Sequence, residues 1–475
     1  MMTSTLSQNS FDATRWEQLL VESARRHQVP GIVAGVLRID PDSGVEQRFV
    51  ASTGVTNSRT GVETSRDALC QIGSVTKLVT STMIMQLREE GKLDLDTLIT
   101  DLLPDTKLST QDDGTITVHH LLTHTSGING DVFTDTGRGD DCIEKYVALL
   151  KDAEPLFSPG NGWSYCNSGF VVLGRIIELL DGRTWDASVQ ARISARLDLQ
   201  HFLTLPEQIM SHRYQHGHTR EPGSTVWSPA ARTALMRSVG PAGIINSSVD
   251  DMLDFGRSFL RDGRGTGGTA LLSPESVRLM FEPQVDLGDA DALSPQWGLG
   301  WILDEWEGHR VVWHGGTTIG NKAWFQVLPE DGVVIVVFCN GGVANAAGAD
   351  IVGAFAREFA GVSPAPGVTP AGPATDVVVQ DEWLGKYGDF ITTFEIVKTD
   401  AGTLEARLSQ SLKPEEPGDE IVVELFPTEQ ANRFTGRPDR LTSWVKLTFA
   451  EVDGHPCLYS DIRCLRKQVA AESAD

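Results

Sequence analysis

The sequence predicts an α+β fold followed by a small antiparallel β domain, and three observations support this. Strand-like runs lie near both ends of the first 360 residues, with helical patterns between them. A segment with four prolines and three glycines, residues 361–375, follows and offers little to pack. Short β-rich runs then continue to the end. We therefore expect a first domain over residues 1–362, a linker over 363–375 and a second domain over 376–475.

The first domain mixes both kinds of element. Helical periodicity predicts helices with glycines, such as Gly91 and Gly182, just beyond two of their ends. Apolar runs of strand length predict an antiparallel sheet that joins the two ends of the domain. The predicted helices cover residues 13–27, 74–90 and 169–180, and the predicted strands cover 31–37, 310–313, 323–328 and 333–338.

The second domain shows only strand patterns. Turn residues separate its runs at short intervals, which predicts an antiparallel sheet closing as a small barrel or sandwich. The predicted strands cover residues 390–397, 403–408, 421–426, 441–449 and 457–459.

Charge and composition exclude several classes of function. The chain has 40 basic and 64 acidic residues, a net charge of -24, which opposes binding to nucleic acid or anionic lipid. We find neither a secretory signal nor an apolar stretch of about 18 residues, so we expect no membrane association. The six cysteines lack C-x-x-C spacing, which indicates neither a zinc site nor a disulfide framework. We expect a reduced, cytoplasmic protein.

The segment IGSVTK, residues 72–77, is the most informative short motif. Ser74 stands at the start of a predicted helix, and Lys77 lies one turn later on the same face. A serine hydroxyl becomes a good nucleophile when a base takes its proton, and a desolvated lysine amine can do this. The alternative is a capping serine beside a solvated lysine.

A second motif lies in the turn-rich segment PGNGWSYCNSG, residues 159–169. It places Tyr165 and Asn167 just before an apolar helix. Tyr165 can serve as a proton shuttle, and the Asn167 amide can bind Lys77 and a substrate carbonyl. The alternative is a hydrogen-bonded turn that caps a buried helix.

A third motif, WHGGTTIG over residues 313–320, lies on or beside a predicted strand. Gly316 allows the backbone to approach a ligand closely, and a main-chain N-H near Thr317 can stabilise an oxyanion. His314 precedes these residues.

Taken together, the three motifs resemble those of the class C β-lactamase-related, penicillin-binding-protein-like serine hydrolases of the S12 peptidase type. The motifs are Ser74-x-x-Lys77, Tyr165-x-Asn167 and His314-x-Gly316, in this order. The resemblance covers nearly all of residues 10–360. It includes HQVPGI at 27–32, ITVHHLLTHTSG at 116–127 and PAGIINSS at 241–248, which we interpret as scaffold.

The resemblance implies a fold and a mechanism. The implied fold is an antiparallel sheet flanked by helices, with an all-helical subdomain, and then a lipocalin-like barrel. In the implied mechanism Ser74 attacks an acyl carbonyl while Lys77 and Tyr165 manage its proton, and Asn167 orients the acyl chain. The N-H groups of Ser74 and Thr317 hold the oxyanion, with no metal or organic cofactor.

Histidine at position 314 departs from the lysine of the related K-T-G motif. A neutral histidine is poorly suited to a substrate carboxylate, so we expect weak activity on β-lactams. The resemblance instead favours an esterase, D-amino-acid peptidase or amidase acting on a small-molecule or peptidyl acyl substrate. A thioesterase that releases and macrocyclises non-ribosomal peptides from a carrier protein is one alternative. A non-catalytic sensor that retains the pocket is another.

Overall fold

The computed structural model describes residues 13–108, 115–130, 132, 134–221, 224–290, 294–388, 392–410, 420–437 and 444–468. Within these residues no helix is long and apolar enough to cross a bilayer. The helices are α1 (Ala13–Arg26), α2 (Thr76–Glu89), α3 (Ile99–Leu102), α4 (Val118–Thr123), α5 (Cys142–Leu149), α6 (Asn167–Asp181), α7 (Trp185–Val189), α8 (Ala195–Leu197), α9 (Pro206–Ile209), α10 (Gly240–Gly243), α11 (Val249–Leu260), α12 (Pro274–Phe281) and α13 (Ala344–Phe359).

The strands form one large sheet, two short ribbons and a second large sheet. In the first 360 residues they are β1 (Gly31–Ile39), β2 (Glu46–Asn57), β3 (Val62–Glu63), β4 (Cys70–Gln71), β5 (His218–Thr219), β6 (Ser228–Pro229), β7 (Asn246–Ser247), β8 (Val285–Asp286), β9 (Gln296–Trp297), β10 (Ile302–Trp306), β11 (His309–Thr317), β12 (Lys322–Leu328) and β13 (Val333–Cys339). In the last hundred they are β14 (Gly385–Gly388), β15 (Thr392–Lys398), β16 (Leu404–Gln410), β17 (Glu420–Pro427), β18 (Arg433–Gly436), β19 (Val445–Val452), β20 (His455–Ser460) and β21 (Arg463–Arg466).

The first large sheet confirms the α+β prediction. Its order is β3-β2-β1-β13-β12-β11-β10-β9-β8, so the first and last strands of the domain pair at its centre. Strand β13 is buried along its whole length because apolar groups cover both sides of the sheet. Its residues alternate between two cores: Val334, Val336 and Phe338 face one, and Val333 and Ile335 face the other. Strands β2 and β10 were not predicted.

Helix α2 lies inside the larger of these cores. Every residue from Thr76 to Leu87 is buried. The predicted C-terminal stop is confirmed: Gly91 has φ of +69° and its N-H donates to Arg88 O at 2.9 Å. The predicted start at Ser74 is two residues early, because Gly73–Val75 forms a 3₁₀ turn and the α-helix begins at Thr76.

The last hundred residues form an eight-stranded antiparallel sheet in sequence order, β14 to β21. A bridge between Tyr387 and Lys467 joins its two edges, so the sheet is a nearly closed barrel around an apolar core. The predicted strands over 390–397 and 441–449 are present from 392 and 445 onward, and residues 390–391 and 441–443 lie outside the described residues.

Candidate active site

Ser74 and Lys77 lie at the junction between the 3₁₀ turn and α2. Gly73, with φ of +54°, makes the turn that presents Ser74 partly to solvent, whereas Lys77 is completely buried. Lys77 Nζ lies 3.2 Å from Ser74 Oγ, 2.7 Å from Asn167 Oδ1 and 2.8 Å from the carbonyl oxygen of Ala242. The Asn167 and Ala242 oxygens accept two hydrogen bonds from the amine, so the third substituent position on its nitrogen faces the serine hydroxyl. The amine is therefore within hydrogen-bond reach of the serine hydroxyl, whose proton nucleophilic catalysis must remove.

Tyr165 and Asn167 come from the turn before α6. Cys166 caps this helix, because its sulfur accepts a hydrogen bond from Gly169 N. The Tyr165 ring centroid lies 4.7 Å from Lys77 Nζ, and the ring packs against His124 at 4.3 Å. The second motif therefore surrounds the lysine on two sides, one aromatic and one amide.

The third motif, at the end of β11, runs along the 3₁₀ turn Gly73–Val75, which we call the nucleophile turn. A methyl group built on Gly316 would lie 1.8 Å from Ile72 O and 3.2 Å from Ser74 N. A methyl group on Gly73 would lie 2.8 Å from Thr317 N. The backbone N-H groups of Ser74 and Thr317 are thus brought close together, which is the arrangement that a two-donor oxyanion site requires.

His314 is buried beside this pair. Its ring centroid lies 6.1 Å from that of Tyr165, and its Nδ1 lies 2.6 Å from Gly315 O. Burial and then the positive charge of Lys77 lower the pKa of His314 to about 3. The side chain is therefore neutral at physiological pH and offers no fixed cation to a substrate carboxylate.

The β20–β21 hairpin of the barrel also reaches the site, which sequence reasoning missed. The Arg463 guanidinium lies 5.0 Å from the Tyr165 ring centroid, on a strand that begins immediately after the hairpin turn. The Tyr165 N-H donates to Ile462 O at 2.9 Å, and the Cys464 N-H donates to Ser164 Oγ at 3.2 Å. The barrel thus fixes the backbone on which Tyr165 stands.

The turn between β19 and β20 also contacts the segment that carries Tyr165, several residues before the tyrosine. Both Asp453 carboxylate oxygens accept hydrogen bonds: one from the backbone N-H and hydroxyl of Ser158, the other from the Asn161 side chain. These contacts lower the pKa of Asp453, chiefly through the Ser158 N-H. Val452, next to it, contacts the Gly162 backbone so closely that a Cβ there would lie 2.6 Å from Val452 Cγ1.

Two of the three histidines at positions 119, 120 and 124 lie at the ends of α4 and make hydrogen bonds there. His120 closes a capping box with Thr117 at the start of α4. His124 ends that helix with φ of +62°, and its Nδ1 accepts a hydrogen bond from Cys166 N. The described residues contain no group of three histidine, cysteine, aspartate or glutamate side chains placed to hold a metal ion.

The structure therefore brings all the predicted site residues into one cleft. Their chemical roles stay predictions. The residue that the motifs could not reveal is Arg463, because its strand carries no signature and lies 300 residues after the segment that it contacts.

Several known proteins are similar to the chain in sequence or in fold. The sequence model of the family described as Beta-lactamase matches residues 16–356. Penicillin-binding protein 4 of Amycolatopsis lactamdurans is 35% identical over 354 residues, which cover 74% of this chain and 91% of that protein. Esterase EstB of Burkholderia gladioli is 26% identical, over 66% of this chain and 86% of its own. A crystal structure of SurE superposes with a TM-score of 0.76 at 23% identity, covering 96% of this chain and 99% of that one.

Proposed function

Because the chain belongs to the β-lactamase family of serine hydrolases, we propose that it cleaves an ester, amide or thioester through a covalent acyl-Ser74 intermediate. One observation carries this proposal: the 3.2 Å contact between Ser74 Oγ and Lys77 Nζ, with the amine oriented by Asn167 and Ala242. A buried, oriented amine beside a partly exposed hydroxyl is what nucleophilic catalysis by serine requires.

In the acylation step Ser74 Oγ forms a bond to the substrate carbonyl carbon while its proton passes to Lys77. The carbonyl oxygen becomes an oxyanion between the N-H groups of Ser74 and Thr317. The tetrahedral intermediate collapses when the bond to the leaving group breaks and Tyr165 delivers a proton to that group. In deacylation the Tyr165 phenolate takes a proton from water, an amine or an alcohol as this nucleophile attacks the acyl carbonyl carbon. The bond to Ser74 Oγ then breaks, and Lys77 returns its proton to that oxygen.

The neutral His314 supports a substrate without a carboxylate at that end of β11. An ester, thioester or simple amide need not carry a carboxylate next to the bond that breaks, whereas a β-lactam antibiotic does carry one. The similarity to an esterase points in the same direction. A peptidyl thioester delivered by a carrier protein is an acyl donor that the same chemistry accepts, so the peptide-releasing thioesterase remains the second candidate.

The test is a substrate panel with mass spectrometry of the intact protein. The panel contains p-nitrophenyl esters, D-aminoacyl amides, a chromogenic cephalosporin and peptidyl thioesters. We expect a mass increase equal to the acyl group with wild type and with Ser43→Ala, an exposed-serine control, and none with Ser74→Ala. Turnover that survives Ser74→Ala would refute the acyl-Ser74 intermediate, and a Ser74 that no donor acylates would leave only a binding role.

A further inference from the structure

A cavity lies behind the nucleophile turn, and none of the residues that line it takes part in the proposed chemistry. Its volume is about 130 Å³, and it lies between α9, the strand pair β4–β7 and the segment around Gln215. Met210, which is 82% exposed, stands at its entrance. None of the described residues that line it carries a charge. The cavity therefore suits an uncharged group.

Polar atoms without hydrogen-bond partners point to a ligand. They belong to four lining side chains that are at least 95% buried: Gln71, Thr204, Gln215 and Asn321. Both side-chain polar atoms of Gln215 lack a partner among the described residues, as do one oxygen each of the other three. A buried polar group without a hydrogen-bond partner is unfavourable, so five such atoms around one cavity favour a polar occupant.

The cavity adjoins the reacting serine. Gln71 lies three residues before Ser74 on the same chain segment. A methyl group built on Gly243 would lie 3.7 Å from the Gly73 carbonyl carbon and 3.7 Å from Leu235 Cδ1. Leu235, which lines the cavity, is therefore separated from the nucleophile turn by a gap about as wide as a methyl group. Asn321 also lines a groove of about 380 Å³ whose wall includes Thr317. The cavity and this groove therefore share one wall residue near Thr317.

The chemistry of the lining selects the group. Acceptor oxygens outnumber donors, so the occupant must supply N-H groups, and it must accept from the Gln215 amide or the Thr204 hydroxyl. An ammonium or a carboxylate would be buried without a counter-charge, which is costly. A primary carboxamide supplies two N-H donors and one acceptor without charge.

We propose that this cavity binds a primary carboxamide carried by the acyl chain, and that Gln215 and Thr204 determine this specificity. The proposal rests on the acyl-Ser74 chemistry proposed above. The competing occupant is a cluster of about four waters, since a water occupies about 30 Å³.

The experiment compares matched p-nitrophenyl esters. The test substrate is the ester of 4-carbamoylbutanoic acid, its apolar isostere is the ester of 5-methylhexanoic acid, and the acetyl ester is too short to reach the cavity. Two or three hydrogen bonds at about 1 kcal/mol each predict a preference of about 30- to 150-fold in kcat/KM for the carbamoyl ester over its isostere. In Gln215→Met with Thr204→Val we expect this preference to vanish. Gln430→Met, an exposed glutamine of the barrel, should keep it.

The outcomes separate the two proposals. Hydrolysis of the acetyl ester at the wild-type rate by the double variant shows that its fold and its catalytic residues are intact. Equal turnover of carbamoyl and isosteric esters by the wild type would overturn the cavity proposal and leave the acyl-enzyme proposal standing. If no ester acylates Ser74, the acyl-enzyme proposal fails. Ligand-observed NMR then measures the binding of butyramide to the wild type and to the double variant, which tests the cavity alone. Binding to the wild type but not to the double variant supports the cavity proposal. Equal binding to both, or binding to neither, refutes it.

Discussion

Adding a single methyl group at Gly316 tests whether β11 forms one side of the oxyanion site. In Gly316→Ala the new Cβ would lie 1.8 Å from Ile72 O, a backbone atom that no side-chain rotation can move aside. A separation of 3.0 Å is the least that such contacts show, so β11 and the nucleophile turn must move apart by about 1.2 Å. Because Thr317 follows directly, its N-H moves with the strand.

The size of the effect follows from this displacement. Misplacing reacting groups by about 1 Å costs about 100-fold in rate, and removing one oxyanion donor costs a similar factor. We therefore expect kcat/KM for p-nitrophenyl acetate to fall about 100-fold, which corresponds to about 2.7 kcal/mol of transition-state stabilisation. Overpacking of this kind also destabilises the fold by about 1–3 kcal/mol, so the melting temperature should fall by several degrees.

Gly315 supplies the matched control. A methyl group there meets nothing closer than 3.6 Å, so Gly315→Ala should acylate within about two-fold of wild type. The assay is stopped-flow release of p-nitrophenol well below the melting temperature, with circular dichroism to measure the folded fraction. Wild-type acylation by folded Gly316→Ala would refute the assignment of β11 to the oxyanion site.

Further perturbations test the base, the barrel contact and the ion pairs. Lys77→Met should lower acylation by about 10²–10⁴-fold without preventing folding, as judged by circular dichroism, because general-base assistance has this magnitude. Arg463→Met removes a cation from the face of the Tyr165 ring, so kcat for p-nitrophenyl acetate should fall about 2- to 5-fold, and Arg463→Lys should restore most of it. Hydrogen bonds and charge from Arg192 lower the pKa of Glu90 to about 2. This stabilisation is complete above about pH 4.5 and is lost as the pH falls toward 2, so melting temperatures of wild type should drop over that window more than those of Arg192→Met.

Three of the long helices and the central strands of the first sheet were predictable because burial leaves a periodic signature. Strand β13 is an unbroken apolar run, which is what burial on both faces of a central strand produces. Strand β2 begins with Glu46, Gln47 and Arg48, all exposed, and its burial is irregular, so no period of two marks it. The 3₁₀ turn before α2 escaped prediction because Ser74 also suits a helix N-cap.

The candidate site was predictable as far as its motifs extend. Ser74, Lys77, Tyr165 and Asn167 lie on segments whose turn residues and helix starts can be read locally. The neutral state of His314 was expected from its ordinary pKa, but the structure gives a stronger reason, its burial next to Lys77. Contacts between distant segments have no local signature, so the barrel side of the cleft could not be foreseen.

The barrel therefore contacts the segment that carries Tyr165. The family match ends at residue 356, so Ser74, Lys77 and β11 all belong to the matched region, whereas the barrel lies after it. The loop that carries Tyr165 is held by Ile462 through a backbone hydrogen bond and by Asp453 through its carboxylate. Loosening of the barrel would free this loop while leaving the contact between Ser74 and Lys77 unchanged. The proposed proton delivery by Tyr165 thus depends on the barrel, which lies beyond the matched region, whereas the proposed attack by Ser74 depends on residues inside it.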